Sequence, residues 1–330
     1  MLHNGRMKAV IQTEFGSPDD VLQIKDIDKP VVTDDEVLVR VHAAAVNISD
    51  TIFVTGVPYM MRMVGMRKVP GEDIAGKIEQ VGKNVTQLQP GDDVFGWCKG
   101  AYAEYACAGE DNFVPKPVNL TFEQAAAVGV SAVTALQALR NQGNIQPGQK
   151  VLINGASGGV GPFAVQIAKA LGADVTGVCS TKNVDMVRSI GADHVIDYTQ
   201  EDFTRSGQRY DFILDNVGNY SLSDFRRALT PEGIVQPNGG GHSSNRWIGP
   251  MLSVIKASVM SKFVRQQGGT FISSNNKADL QFLKELLEAG KITPVIDKTY
   301  PLSETPEALA YVGAGHARAK VVITVVQEDE

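Results

Sequence analysis

Val151-Leu152-Ile153-Asn154-Gly155-Ala156-Ser157-Gly158-Gly159-Val160-Gly161 decides the architecture of this 330-residue chain. An apolar run ends in a glycine cluster, and an amphipathic pattern begins at once. Counting from Val160, Phe163, Ala164, Ile167, Ala168 and Leu171 fall three, four, seven, eight and eleven residues on, which is one stripe of a helix. Pro162 sits in the first turn, where a missing N–H costs least, and Gly172 is placed to end the helix. Read as G-x-G-x-x-G, the turn has Ala156 in the first place, then Gly158 and Gly161. The first position makes the tight turn, the second lets backbone approach a pyrophosphate, and the third lets helix pack on strand. The helix start adds unpaired N–H groups and partial positive charge. Strand, turn and helix in this order predict a dinucleotide site lined by Ala156, Ser157, Gly158, Gly159, Val160 and Gly161.

Working outward, the stretch opens a regular alternation. Strands are predicted over 150–154, 174–179, 194–197, 210–215 and 233–236, with helical stretches between them. Such alternation implies parallel pairing and a doubly wound sheet, so the class is α/β. After about Gly268 the pattern predicts a short strand and then a helix. Leu280, Leu283, Leu286 and Leu287 form that helix's apolar face, and Gly290 stops it. A closing strand over 320–326 is apolar enough to be buried, back against the first part of the chain. The residues up to about 110 read differently. Short strands over 8–12, 36–45, 75–81 and after Pro90-Gly91-Asp92 are separated by Gly- and Pro-marked turns. Val37, Val39 and Val41 alternate with Leu38, Arg40 and His42, as in a strand with one wetter face. At ~150 residues per domain the length suits two domains, the first β-rich.

Composition narrows the function. Lys and Arg number 31 against 37 Asp and Glu, a net charge of −6, with no basic run. That excludes the positive footprint of a nucleic-acid binder. Hydrophobic residues at 43% are ordinary for a soluble globular protein. No stretch approaches the ~18 apolar residues of a membrane span. The start, Met-Leu-His-Asn-Gly-Arg, is too short and polar for a secretory signal. Three cysteines, Cys98, Cys107 and Cys179, are odd in number and widely spaced, which makes neither a disulfide framework nor a paired metal clip. A reducing cytoplasm is the expected compartment.

The kind of dinucleotide is read about 20 residues beyond the glycine turn, where an NAD site carries Asp or Glu for the ribose 2′-OH. This chain has Val178-Cys179-Ser180-Thr181-Lys182-Asn183 there. No carboxylate repels a 2′-phosphate, and Ser180, Thr181 and Lys182 can bind one, so NADPH is expected.

These residues carry a family likeness. With Val46-Asn47-x-x-Asp50, Pro70-Gly71-Glu72-Asp73-Ile74-Ala75-Gly76, Val81-Gly82, Pro90-Gly91-Asp92-x-Val94, Ala101-Tyr102-Ala103-Glu104-Tyr105, Ala125-Ala126-Ala127 and Ser131-Ala132-Val133-Thr134-Ala135, the chain resembles the medium-chain dehydrogenase/reductase superfamily. Within it, the chain resembles the zinc-independent quinone oxidoreductase-like branch. The likeness runs from Met7 to about Val325. It implies a GroES-like β-rich catalytic domain over 1–124, a Rossmann coenzyme domain over 125–267 and a return to the first domain over 268–330. It also implies an active site in the cleft between them, and a homodimer joined through the coenzyme-domain sheet.

The resemblance supplies expectations for single residues. Asn47 falls in the substrate-cleft motif as a hydrogen-bond donor to substrate or nicotinamide ribose, with Asp50 structural. Relatives often carry Tyr two residues after this Asp. Here Ile52 stands there, followed by Phe53, and Tyr59 is the substitute proton donor. Thr134, Tyr198, Asn216, Val217, Gly240 and Gly241 match coenzyme-contacting positions. Lys320 is near a segment that sometimes reaches the coenzyme and otherwise reads as a surface lysine; His242 reads as a solvated loop histidine. The Met-rich stretch from Tyr59 to Lys68 is pliable enough to cover the cleft as a lid.

Zinc-dependent members use Cys, His and Cys or Asp as ligands. Asn47 stands for the first Cys, Glu72 for the His, and no thiolate lies near Gly129–Ser131, so no metal site is expected. Without a Lewis acid an isolated carbonyl is hard to polarise. A conjugated acceptor spreads its charge onto an oxygen that hydrogen bonds can stabilise. The expected activity is NADPH-dependent reduction of quinones or α,β-unsaturated carbonyls. An alcohol or aldehyde oxidoreductase and a non-enzymatic NADPH-binding redox sensor are the alternatives.

Overall fold

A computed structural model describes residues 5–238, 268, 271–315 and 317–326. Gly240, Gly241 and His242 lie outside the described residues. The chain divides into two units: Met1–Ser131, Asn275–Ala289 and Pro294–Glu330 in one, Ala132–Ser274 and Gly290–Thr293 in the other.

The first unit is β-rich. Its strands are β1 (Arg6–Gln12), β2 (Leu22–Asp28), β3 (Glu36–Val46), β4 (Asp73–Val81), β5 (Asp93–Trp97), β6 (Tyr105–Gly109) and β7 (Phe113–Pro115). β1 and β2 pair antiparallel. Val37, Val39 and Val41 of β3 are fully buried and Arg40 is exposed, as the alternation predicts, but Leu38 of the expected wetter face is buried as well. His42, on the wetter side, stacks on Phe122 with ring centroids 4.1 Å apart. Each buried valine contributes ~1.5–3 kcal/mol against leaving it exposed.

The second unit carries β8 (Lys150–Asn154), β9 (Asp174–Cys179), β10 (His194–Asp197), β11 (Tyr210–Asp215) and β12 (Leu229–Pro237). They form one parallel sheet in the order β10-β9-β8-β11-β12. β12 begins four residues before its predicted start, with a register shift against β11. Helix Gly161–Ala170 follows β8, with Gly161–Ala168 buried throughout and Gly172 at φ +86° just beyond its end. Strand order reverses between β8 and β11, and such a switch point opens a crevice at the carboxyl ends of the strands.

Two strands complete the seven-stranded sheet of the first unit, β13 (Ile296–Pro301) and β14 (Lys320–Thr324). The order is β13-β14-β3-β4-β5-β7, with β6 on β3. The closing strand therefore lies inside this sheet, antiparallel to β3 with Val321 opposite Val46. Helix Lys277–Glu288 buries Leu280, Leu283 and Leu287, while Leu286 is only half-buried. Where a strand was expected after Gly268, residues 271–276 are irregular. The Gln137 carboxamide takes up both the N–H (3.0 Å) and the C=O (2.8 Å) of Ser274, which removes them from any ladder. Among the described residues no helix is long and apolar enough to cross a membrane.

Candidate active site

The crevice of the parallel sheet is built around the glycine turn. Gly155 adopts φ +76°, and Ala156 is buried with its N–H on Val178 O at 3.0 Å. A Cβ on Gly161 would collide with the backbone of Gly155 and Ala156, so only glycine lets the helix start this close to β8. A Cβ on Gly158 would meet nothing nearer than Gly155 O at 3.7 Å, which leaves that backbone open to a phosphate. Ser157 Oγ accepts from Asn183 Nδ2 at 3.0 Å, and Asn183 Oδ1 is buried without a hydrogen-bond partner. At the end of β11, Asn216 Oδ1 accepts from Asn238 Nδ2 at 2.7 Å, while its Nδ2 is buried and unsatisfied. Such orphans cost ~1–3 kcal/mol each unless a partner arrives. Asp215 shapes this turn, accepting from Asn154 Nδ2 (2.8 Å) and from the Val217 and Gly218 N–H groups (3.1 and 3.0 Å). Burial raises its carboxyl, and these donors oppose the shift. Thr134 Oγ1 donates to Ser273 Oγ at 2.8 Å. An open glycine turn on a helix start, with unsatisfied amide groups at the strand ends, fits a dinucleotide.

Beside the loop that follows β9 stands a group that the linear reading missed. Parallel pairing sets Asp197 of β10 against Cys179 of β9. Thr181 Oγ1 donates to Asp197 Oδ2 at 2.6 Å. That hydroxyl, with the Thr199 backbone and side chain, holds the Asp197 carboxyl below the usual range. A carboxylate thus stands against Thr181, in the loop that also holds Ser180 and Lys182, delivered by the next strand. The Thr181 hydroxyl is engaged by it. Lys182 is exposed, and so is Tyr198, whose N–H bonds Cys179 O at 3.0 Å.

The first unit holds a buried polar cluster. Asn47 precedes helix Ile48–Thr55, and its N–H donates to Asp50 Oδ2 at 2.9 Å. Its side chain turns inward: Nδ2 donates to Asp73 Oδ2 at 2.9 Å, and Oδ1 accepts from Lys320 Nζ at 2.6 Å. Lys320 is 2% exposed, not the surface lysine that its place near the end of the chain suggests. Its ammonium also reaches Ser131 Oγ (3.0 Å), Val46 O (3.4 Å) and, more distantly, Asp73 Oδ2 (3.9 Å). Asp73 Oδ1 takes the Val130 N–H at 2.9 Å, and a Cβ on Gly129 would collide with this carboxylate. Tyr102 joins the network by donating to Asp50 Oδ2 at 2.9 Å, and burial raises its phenol.

Burial pushes Asp73 up to about 6, against the pull of Lys320, and lowers Lys320 against the pull of Asp73 and Asp50. The three close acceptors around Nζ need the three hydrogens of an ammonium, and Asp73 receives two N–H donors as a carboxylate. Asp50 differs. Burial pushes it up to about 7, and its Oδ1 is buried without a hydrogen-bond partner.

Asp50 therefore makes stability pH-dependent. A carboxyl raised on folding from 3.8 to about 7 stabilises fully below about pH 4 and loses that contribution as pH rises through 7. Asp50→Asn is expected to flatten the fall in stability between pH 4 and 7 by up to one proton, ~1.4 kcal/mol per pH unit. Urea unfolding at four pH values in that window measures it. An unchanged slope refutes the assignment.

Tyr59 lies on the short 3₁₀ helix Tyr59–Val64, with the Arg62 guanidinium 4.8 Å from its ring centroid. Met63, Val64 and Met66 of the expected lid are exposed. Glu72 accepts from Asn275 Nδ2 at 3.0 Å and pairs with Arg67 at 3.5 Å, and that guanidinium sits 4.1 Å over Phe53.

Comparison with known proteins agrees with this architecture. Residues 33–118 match the alcohol dehydrogenase GroES-like domain, and residues 190–323 match a family described as zinc-binding dehydrogenase. The chain is 35% identical to the mitochondrial NAD(P)H oxidoreductase RTN4IP1 of Mus musculus, over 88% of this chain and 82% of that protein. It is 32% identical to the 2-methylene-furan-3-one reductase of Solanum lycopersicum, over 96% of this chain and 79% of that protein. The quinone oxidoreductase structure from Coxiella burnetii superposes with a TM-score of 0.84 at 29% identity, over 98% of this chain and 100% of that one. The chain belongs to the medium-chain dehydrogenase/reductase superfamily, in its quinone oxidoreductase-like branch. It is an oxidoreductase that uses a nicotinamide cofactor.

The zinc in that family description does not fit the residues here. At the positions carried over for zinc ligands stand a carboxamide, a carboxylate already bound to Asn275 and Arg67, and a hydroxyl. The lone pairs of Asn47 Oδ1 and Ser131 Oγ are engaged by an ammonium. Zinc takes thiolate, imidazole and carboxylate donors converging on one point.

Proposed function

We propose that this protein is a zinc-independent, NADPH-dependent reductase of quinones or α,β-unsaturated carbonyls. The observation that carries the reading is the Asn47–Ser131–Lys320 cluster, which offers hydrogen-bond donors and a cation where a metal-using relative would need soft ligands. Among the described residues no group of three or more His, Cys, Asp or Glu side chains is arranged to hold a metal. The names of the tomato and Coxiella relatives, a furanone reductase and a quinone oxidoreductase, support conjugated acceptors.

NADPH, when bound, supplies a hydride from its nicotinamide C4. Asn47 and Ser131 take the other half of the work. As the hydride adds to the β-carbon of an enone, the π electrons move onto the carbonyl oxygen. Asn47 Oδ1 is held by Lys320, so the carboxamide can meet that oxygen only through Nδ2–H. Ser131 accepts from Lys320, and its own proton has only a 3.5 Å contact with Asn47 Oδ1. Two neutral donors backed by a cation stabilise the developing charge. A proton from water or Tyr59 then reaches the α-carbon.

Ser180 and Lys182 support NADPH, whereas Asp197 favours NADH by the opposite charge logic. Lys182→Ala is expected to lower kcat/KM for NADPH roughly tenfold, the ~1.5 kcal/mol of one charge-assisted hydrogen bond, with NADH little changed. Asp197→Asn is expected to move preference further toward NADPH. An unaltered NADPH/NADH ratio in both variants would remove the 2′-phosphate from this loop. Three free thiols suit a reducing cytoplasm, and a homodimer is what the family likeness implies. The functional test is coenzyme oxidation across quinones, enones and simple aldehydes with metal-stripped protein. Turnover of aldehydes only after zinc is restored would overturn the reading.

A further inference from the structure

Lys320 is the least expected residue of the closing strand. Its neighbours Val321, Val322 and Ile323 are buried aliphatics, and an apolar side chain at 320 would continue them without the cost of burying an ammonium. A lysine placed only to neutralise Asp73 would sit against it. Here Asp73 is the most distant contact at 3.9 Å, and the short ones go to Asn47 Oδ1 at 2.6 Å and Ser131 Oγ at 3.0 Å. Both are the neutral polar groups on which the proposed reduction depends.

Each contact has a consequence. The bond to Oδ1 rules out the flipped amide, so Asn47 always presents Nδ2–H and never its oxygen. Withdrawing electron density through Oδ1 makes that N–H a stronger donor. The bond to Ser131 Oγ uses a hydroxyl lone pair and leaves the hydroxyl proton to be given away. Meanwhile Asp73, tied to the Val130 N–H, holds the other Asn47 hydrogen and keeps the ammonium charged.

We propose that Lys320 is a positioning residue for hydride transfer, a fixed internal cation that orients and polarises Asn47 and Ser131 toward the substrate oxygen. Its charge backs the two donors, whereas a Lewis-acidic ion would bind the substrate oxygen itself. The inference rests on the quinone and enone reading above.

The test compares wild type with Lys320→Gln, Lys320→Arg and the charge-free pair Asp73→Asn/Lys320→Gln, which keeps a hydrogen-bonded network should the single variant fold poorly. NADPH affinity is measured by fluorescence, and turnover with simple aliphatic enones and with substituted benzoquinones graded by reduction potential. Lys320→Gln and the charge-free pair are expected to bind NADPH as wild type does. Both are expected to lose roughly 10- to 100-fold in kcat/KM on the enones, mostly in kcat, the range found when a supporting group behind an active-site ligand is removed. The deficit is expected to shrink as the quinones become more electron-poor, because they need less help with charge, and Lys320→Arg is expected to recover most of it. Misplacement alone would lower all acceptors equally. A folded charge-free variant that matches wild type, or one with the same deficit on every acceptor, overturns the inference. Wild type that oxidises NADPH with none of these acceptors overturns the functional reading, and this inference with it.

Discussion

Asp73→Asn is expected to cost about 3–5 kcal/mol of folding free energy, far more than the loss of one hydrogen bond. The substitution barely changes shape, and Asn can still accept from Val130 N–H or Asn47 Nδ2. What it removes is the countercharge of an ammonium that is 2% exposed and closed in by β3 and the start of helix Gly129–Gln137. Lys320 must then stay charged and unpaired or give up its proton, and either course costs free energy. Adding Lys320→Gln is expected to return a large part of the loss. The two changes should therefore be non-additive by at least ~1.5 kcal/mol, since the groups share one network. Urea unfolding of wild type, both single variants and the pair measures the coupling. Additive costs would mean that solvent reaches the pair and that the cluster is not the closed network described above.

The second large effect separates two glycines of one turn. Gly161→Ala is expected to destabilise the protein by about 1–3 kcal/mol and to abolish coenzyme binding. Its methyl group points into the Gly155 and Ala156 backbone, which cannot yield without moving the helix off β8. Gly158→Ala is expected to leave the free protein within ~1 kcal/mol of wild type, because its methyl group meets only Gly155 O at 3.7 Å. It should nevertheless weaken NADPH binding by roughly 100-fold or more, by standing where a pyrophosphate must approach. Thermal unfolding with and without NADPH reads both effects, since a ligand that binds only the native state raises the midpoint. If Gly158→Ala binds NADPH like wild type, the phosphates do not lie on this turn.

Local patterns carried much of this protein. A strand, a glycine turn and a helix stripe lie within about twenty residues, and the parallel sheet follows from repeating that unit. The β-rich start and the buried closing strand were equally legible, because hydrophobic alternation is a property of neighbours. Asn47 was found through its motif, but its orientation was not, since the atoms that set it belong to Asp73 and Lys320, 26 and 273 residues away. Asp197 escaped for the same reason, as sixteen residues separate it from the Thr181 hydroxyl that it accepts from. Lys320 looked superficial because a lysine near a chain end usually is. Only the insertion of β14 between β13 and β3 buries it. The sequence by itself determined the layers and the glycine turn, where each preference is settled by residues a few positions apart. The tertiary structure alone decided where charge is buried and what faces it, because desolvation and ion pairing depend on distances that only the folded chain defines.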